Sequence, residues 1–343
     1  MLVAKGAAAE WRSFWFLPIA AALGYATSVL HIYSFGPFIE PLQQEFGWSR
    51  AQISLGITVQ SIGSALFCIP VGLLIDRIGP RKVGLTGVLL MAVTVSLLAT
   101  ATGSITNWLV LWAIIAFGTM FVQATVWSSA VTSRFHVSRG LALAITLSGA
   151  SLSATIFPLL ATWLIGEHGW RTAFVSLSCM WAALVFPILF FFFRAAPKQV
   201  QDQNSQQETA TEELTGLTLA EGIRSPALYK LLAAGGLFAF TAIGVVVHFI
   251  PIIKDRGADP LAAASIASLI GIFSIIGRLS TGVLLDRFPA HIVGACAFLI
   301  PILGSALLLV NGNSSVNQAI AAAIFGLTLG SEVDVIAYMA AKY

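Results

Sequence analysis

Long apolar runs alternate with short polar or charged breaks along the whole chain. The runs are 18 to 26 residues long, and a helix needs about 20 apolar residues to cross a hydrocarbon core of about 30 Å. Ten spans are predicted, at 14–39, 51–75, 83–102, 108–132, 140–164, 170–194, 227–252, 261–285, 291–311 and 316–333. Membrane-barrel strands alternate every second residue over about ten positions, and these runs do not. The predicted fold class is an all-α polytopic membrane protein.

One break is long. Residues 195–226 are rich in Gln, Glu and Thr and poor in large apolar side chains, a composition that cannot build a core of its own. They read as a linker between an N-terminal six-span bundle, 1–194, and a four-span region, 227–343.

Composition strengthens this picture. Hydrophobic residues make up 57% of the 343 and charged residues only 10%, against about 25% charged in soluble domains. The formal charge of +3 resides in loops, and no basic run points to nucleic acid. Cys68, Cys179 and Cys296 fall inside apolar spans without metal or redox spacing, so they are expected to pack. The first span lacks a small-residue cleavage site and reads as a retained helix. With the N-terminus in the cytoplasm, 13 Lys and Arg lie on the cytoplasmic side, 4 lie outside and Arg278 lies within a span. Positive charge concentrates on the cytoplasmic side of membrane proteins, which predicts a multi-pass inner-membrane protein with its N-terminus inside.

The two regions share a repeat. Ser61–Arg77, SIGSALFCIPVGLLIDR, aligns without gaps to Gly271–Arg287, GIFSIIGRLSTGVLLDR, with identities that include Ser64/Ser274, Gly72/Gly282, Asp76/Asp286 and Arg77/Arg287. The copies end span 2 and span 8, equivalent spans of the two halves. Such repeats are the trace of transporters built from related halves.

The fuller copy, Gly72-Leu-Leu-Ile-Asp76-Arg77-Ile-Gly79-Pro-Arg81-Lys82, resembles the loop 2–3 motif of the major facilitator superfamily, with Pro80 interposed before the basic pair. The resemblance implies two six-helix bundles rocking about a central cavity. It implies a conformational-switch role for Gly72, Asp76, Arg77, Gly79, Arg81 and Lys82, and for Gly282, Asp286 and Arg287 in the second copy. Topogenic charge alone is the plainer reading. The family has twelve spans, so this chain is expected to stop two short. Its last stretch, Gly330-Ser-Glu332-Val-Asp334 onward, resembles loop 10–11 of the carboxylate-transporting branch.

Arg278 carries the substrate hypothesis. It lies eight residues before Asp286, or about 12 Å inside the helix end at about 1.5 Å per residue. Its helical neighbours Gly271, Ser274, Thr281 and Gly282 form a small, polar face, and a charge at that depth belongs in the bundle or a wet cavity. Its repeat partner is the neutral Cys68. Guanidinium binds planar carboxylates through two parallel bonds; the other reading is a structural arginine on helix carbonyls. An arginine in span 8 followed by Gly-x-x-x-Asp resembles the substrate arginine of the oxalate–formate antiporter and monocarboxylate transporter families. The monocarboxylate branch has an Asp one turn earlier, where Ser274 stands here, and a Lys in span 1, where His31 is the candidate.

His31, Tyr25 and Gln123 complete the predicted substrate-binding set. Packing explains His31 and Tyr25 equally well, and helix-to-helix bonding explains Gln123. His248 reads as a gate or boundary residue near the outer end of span 7, and Trp127 as cavity lining or plain packing. The small residues of span 5 predict close helix contact, while Phe157 and Leu159 depart from the drug-antiporter pattern. Phe46–Arg50 and Gly169–Arg171 read as anchors at helix starts, without chemistry. No buried acid stands out within the spans, which leaves proton symport and anion exchange both open.

The predicted function is secondary active transport of a small organic anion, mono- or dicarboxylate, by alternating access. It needs no cofactor, and its partners are the anion, a proton or exchanged anion, and the bilayer. An exporter of neutral or hydrophobic compounds and a non-transporting membrane protein are the alternatives. Motifs of hydrolases, metalloenzymes and nucleotide-driven pumps are absent from the sequence, which argues against an enzyme.

Overall fold

The structure, a computed structural model, describes residues 2–195, 224–311 and 313–342. The chain divides into two compact units, Met1–Lys198 and Gln199–Tyr343. Nearly all of the predicted linker lies outside the described residues.

In the first unit the helices are α1 (Leu2–Phe14), α2 (Phe16–Tyr33), α3 (Ile39–Phe46), α4 (Arg50–Ile78), α5 (Pro80–Ser96), α6 (Ile105–Met120), α7 (Ala124–Thr132), α8 (Arg139–Leu147) and α9 (Gly149–Phe192). In the second they are α10 (Pro226–Lys254), α11 (Pro260–Arg287), α12 (Ala290–Leu299), α13 (Pro301–Asn311) and α14 (Ser315–Lys342). Among the described residues, seven stretches are long and apolar enough to cross a membrane, or eight when the bent α4 is included.

The predicted spans are recovered with five local differences. Residues 2–14, nearly all ahead of the first predicted span, form a helix. Span 4 is broken at Phe121–Gln123 between α6 and α7, and span 9 is broken before Pro301, where proline cannot continue the ladder of hydrogen bonds. α4 bends by 57° between Phe67 and Pro70. The predicted span 10 runs on to Lys342, so Glu332 and Asp334 lie in a helix and not in a loop.

Local chemistry sets the boundaries. Ser49 caps α4 in a capping box with Gln52, which satisfies two orphan N–H groups. The Asp259 carboxylate accepts from Leu261 and Ala262 at the start of α11. Within α9 the chain turns at Gly169, whose φ of 75° is open to glycine at no steric cost; this is the predicted boundary between spans 5 and 6.

Small residues govern packing in both units. A Cβ on Gly149 would stand 2.0 Å from the Ala22 carbonyl oxygen, and Ser153 donates to the Ala26 carbonyl at 2.8 Å. The predicted close partner of span 5 is therefore span 1. Gly24 and Gly84 form a slot for Trp127, which is fully buried and donates to the Val122 carbonyl at 2.8 Å. Trp127 is a packing residue, not a cavity lining. In the second unit α14 packs against α10, α11, α12 and α13. Cys179 and Cys296 are exposed rather than packed, a correction explained by their place on the outer faces of the bundle.

Candidate functional site

Arg278 lies on α11, 7% exposed, with Ser274 at 7% and Thr281 at 3%. The predicted polar face is real over these positions. Gly282 is the exception: it is exposed, with nothing within 4 Å of a Cβ placed there. The face abuts α14 with almost no gap. A Cβ on Gly330 would stand 2.8 Å from the Arg278 amide nitrogen, and one on Gly277 would stand 2.1 Å from the Leu327 carbonyl oxygen. Gly326 likewise presses on the Ile270 carbonyl. Gly326 and Gly330 have the Gly-x-x-x-Gly spacing that lets membrane helices meet backbone to backbone. Thr281 donates to Ser331 at 2.6 Å, and Ser331 to the Leu327 carbonyl at 2.7 Å, closing the crossing beside the arginine. This spacing was legible in the sequence, but its partner helix was not.

His31, Gln123 and Tyr25 belong to the first unit. His31 is 2% exposed on α2 and meets the Trp112 ring edge-on at 6.0 Å. Neither of its ring nitrogens has a hydrogen bond of good geometry among the described residues. Gln60 of α4 is the polar side chain beside it. Gln60 donates to Ser64 at 2.8 Å and to Thr119 at 3.3 Å, and Gln123 donates to the Ser64 carbonyl at 3.3 Å. Gln123 thus ties α4 to the break in span 4, where it is the residue preceding α7. Tyr25 is half-buried, and its carbonyl accepts from Ser28. His31 stands beside Gln60, and Gln123 shares a polar network with Ser64, Gln60 and Thr119, in which Gln60 and Ser64 were missed by sequence reasoning. A Gln and a Ser one turn apart on span 2 are its visible signal.

The Gly72–Lys82 stretch has a clear local structure. Gly79 ends α4 with φ 84°, and Pro80 begins α5, where its missing N–H costs nothing. The interposed proline therefore fits the turn. Arg81 donates to the Phe190 carbonyl at 2.6 Å in the last turn of α9, where a cation meets orphan carbonyls and the negative end of the helix dipole. Asp76, Arg77 and Lys82 are exposed, as is Gly72, which has open space at its Cβ position. Arg287 is exposed in the last turn of α11, and the Asp286 side chain lies outside the described residues.

Two narrow apolar clefts lie among the described residues, one among Phe238, Thr241, Phe325 and Thr328 and one by Thr27 and Trp181, and neither has room for an organic substrate.

Bundled membrane helices in two repeat-related units define a transporter fold. The chain belongs to the Major Facilitator Superfamily, whose model matches residues 21–343. It is 26% identical over 329 residues to monocarboxylate transporter 13 of Rattus norvegicus, covering 92% of this chain and 72% of that protein. Its fold is similar to a bacterial homologue of the human lysosomal transporter Spinster, with a TM-score of 0.69 and 19% identity over 95% of this chain and 78% of that one. It is also similar to a D-xylose–proton symporter, with a TM-score of 0.66 and 14% identity over 92% and 80%.

Proposed function

We propose that this transporter moves a small organic anion, a mono- or dicarboxylate, across the cell's inner membrane by alternating access, with its N-terminus in the cytoplasm. The observation that carries this reading is Arg278, a permanent cation 7% exposed within a membrane helix. A buried charge is costly unless it does work there, and the guanidinium fork matches a carboxylate in geometry and charge. Support also comes from the repeat, whose first copy carries the neutral Cys68 at this position, so the shared architecture does not require the cation. The rat relative is named for monocarboxylates, the same chemistry.

His31, with Gln60 beside it, is the proposed polar group of the first unit, and Tyr25 and Gln123 act with it. The two Gly-x-x-x-Asp-Arg copies serve conformational switching. Arg81, bonded to the end of α9, ties the loop after span 2 to the end of span 6.

The test is uptake of radiolabelled lactate and oxalate into proteoliposomes by the wild-type chain, Arg278→Lys and Arg278→Ala. The expected result is at least a tenfold loss in both variants, because lysine keeps the charge but not the planar fork. Wild-type uptake in both variants removes Arg278 from the site.

A further inference from the structure

Two buried rings of the first unit have polar atoms to spare. Trp112 of α6 is fully buried, and its indole N–H has no acceptor among the described residues. His31 of α2 adjoins it, with ring centroids 6.0 Å apart. A Cβ on Gly56 of α4 would stand 2.4 Å from the Trp112 Nε1, so the N–H edge of the indole faces α4. Gln60, beside His31, lies one turn further along α4 on the same face. Buried donors and acceptors are costly to leave unmet, so these two rings call for a ligand.

Thr119 of α6 sets the direction of the hydrogen bonds around them. It donates its hydroxyl proton to the Ile115 carbonyl at 2.6 Å, so its oxygen can only accept from Gln60. The Gln60 amide nitrogen donates to that oxygen at 3.3 Å and to Ser64 at 2.8 Å, which spends both of its N–H groups. The amide carbonyl is the end left for His31, and His31 has to bring an N–H to it. α2 and α6 carry no acidic residue, and Asp76, the acid of α4, stands at its far end. A buried imidazolium without a counter-charge is expensive, so the ring is neutral. With one nitrogen committed as a donor, the other is a bare acceptor. A hydroxyl is the group that can donate to this nitrogen and accept from the Trp112 N–H.

We infer that Gln60 and Thr119 are positioning residues. Anchored on the Ile115 carbonyl, they hold His31 in one neutral tautomer, whose bare nitrogen binds a hydroxyl group together with the Trp112 N–H. The inference rests on the proposed place of His31 in the substrate-binding set and adds Trp112 to that set. The hydroxyl belongs to the carried anion or to a water molecule held within the unit. An ionised carboxylate brings acceptors only and does not fit the bare nitrogen.

The test uses the 343-residue chain in proteoliposomes, with nitrogen-15-labelled histidine, as wild type, Gln60→Leu, Trp112→Phe and His31→Gln. The ring signals lost in His31→Gln are those of His31. In wild type they should show one protonated and one bare nitrogen, a single tautomer. In Gln60→Leu both nitrogens should appear partly protonated, a mixture of tautomers. Trp112→Phe should keep the single tautomer and move the bare-nitrogen signal alone, which also shows that this variant folds. A doubly protonated ring in wild type, or a single tautomer unchanged in Gln60→Leu, overturns the inference. Uptake of labelled lactate and propionate, which differ by one hydroxyl, separates the two sources of the group. If the anion supplies it, wild type takes up lactate at least tenfold faster, and the ratio falls to within about threefold in Gln60→Leu and Trp112→Phe. If water supplies it, all the proteins carry the two anions alike while the spectra behave as stated. Spectra that behave as stated while wild type carries no carboxylate sustain the positioning of His31 and overturn the anion reading instead.

Discussion

A Cβ on Gly330 would stand 2.0 Å from the carbonyl oxygen of Ser274. In the first unit the repeat-equivalent carbonyl, that of Ser64, accepts a hydrogen bond from Gln123. One repeat thus meets its neighbour through an amide side chain and the other through bare backbone. The tighter version belongs to the helix that carries Arg278.

That difference makes Gly330 sensitive in a way its neighbours are not. Gly330→Ala forces α14 away from α11 and should cost about 1–3 kcal/mol, as overpacking does. Gly72→Ala and Gly282→Ala, with open space at both positions, should be neutral or stabilise by up to about 1 kcal/mol through helix propensity. Thermal midpoints in detergent, read by size exclusion, separate the two outcomes.

The Trp127 slot predicts a second steric result. A Cβ on Gly24 would lie 2.3 Å from the indole ring, and one on Gly84 would lie 2.9 Å from it. Gly24→Ala should therefore destabilise more than Gly84→Ala. Combining Gly24→Ala with Trp127→Phe should restore part of the loss, since a smaller ring leaves room for the methyl. Additive losses in this double-mutant cycle would rule out the slot.

At one end of the first unit, Glu10 of α1 accepts from three consecutive amides, those of His136, Val137 and Ser138, at 2.9–3.0 Å. Trp11 and Phe14 pack on Phe135 beside it. Burial alone would raise the Glu10 pKa, but these backbone bonds together outweigh it and hold the carboxyl below its usual 4.5. A depressed carboxyl pKa adds stability above the unfolded value, and that stability is lost as pH falls through the folded one. Docking of α1 should thus hold at neutral pH and weaken below about pH 4.5. Glu10→Ala should loosen it at every pH by about 1 kcal/mol, the worth of a helix cap. Hydrogen exchange of the 135–139 amides reads both effects.

At the opposite end, Glu45 accepts from Arg171 at 2.5 Å and from the Trp170 indole at 2.6 Å, while Arg171 also donates to the Ala101 carbonyl. The Gly169–Arg171 and Phe46 stretches are therefore a clasp between helices, which the sequence reading as plain anchors did not predict. The ion pair is 45% and 37% exposed, so its charge is worth under about 1 kcal/mol. Glu45→Gln, which keeps an acceptor for Trp170, should cost less than that. Glu45→Ala strips the partner from an indole 7% exposed and should cost about 1–3 kcal/mol. Equal melting losses for the two variants would contradict this division.

What could be read from the sequence was whatever the membrane imposes on each segment separately. Span length, apolar composition, the repeat and the depth of Arg278 follow from bilayer thickness and helix rise, and none needs a partner helix. Breaks at proline and positive-φ glycine are local too, which is why the Gly169 and Gly79 turns match expectation. The tertiary structure decided which surfaces meet. It set Gly330 against Ser274 and Arg278 and Gly326 against Ile270, placed His31 beside Gln60, and made Gln123 a helix-to-helix bond. It also carried α14 past Glu332, turning an expected loop residue into one within a helix. Membrane helices associate through close packing and a few polar bonds rather than through hydrophobic burial. Every lipid-facing and partner-facing position can therefore look equally apolar in one sequence, and only the packed bundle tells them apart.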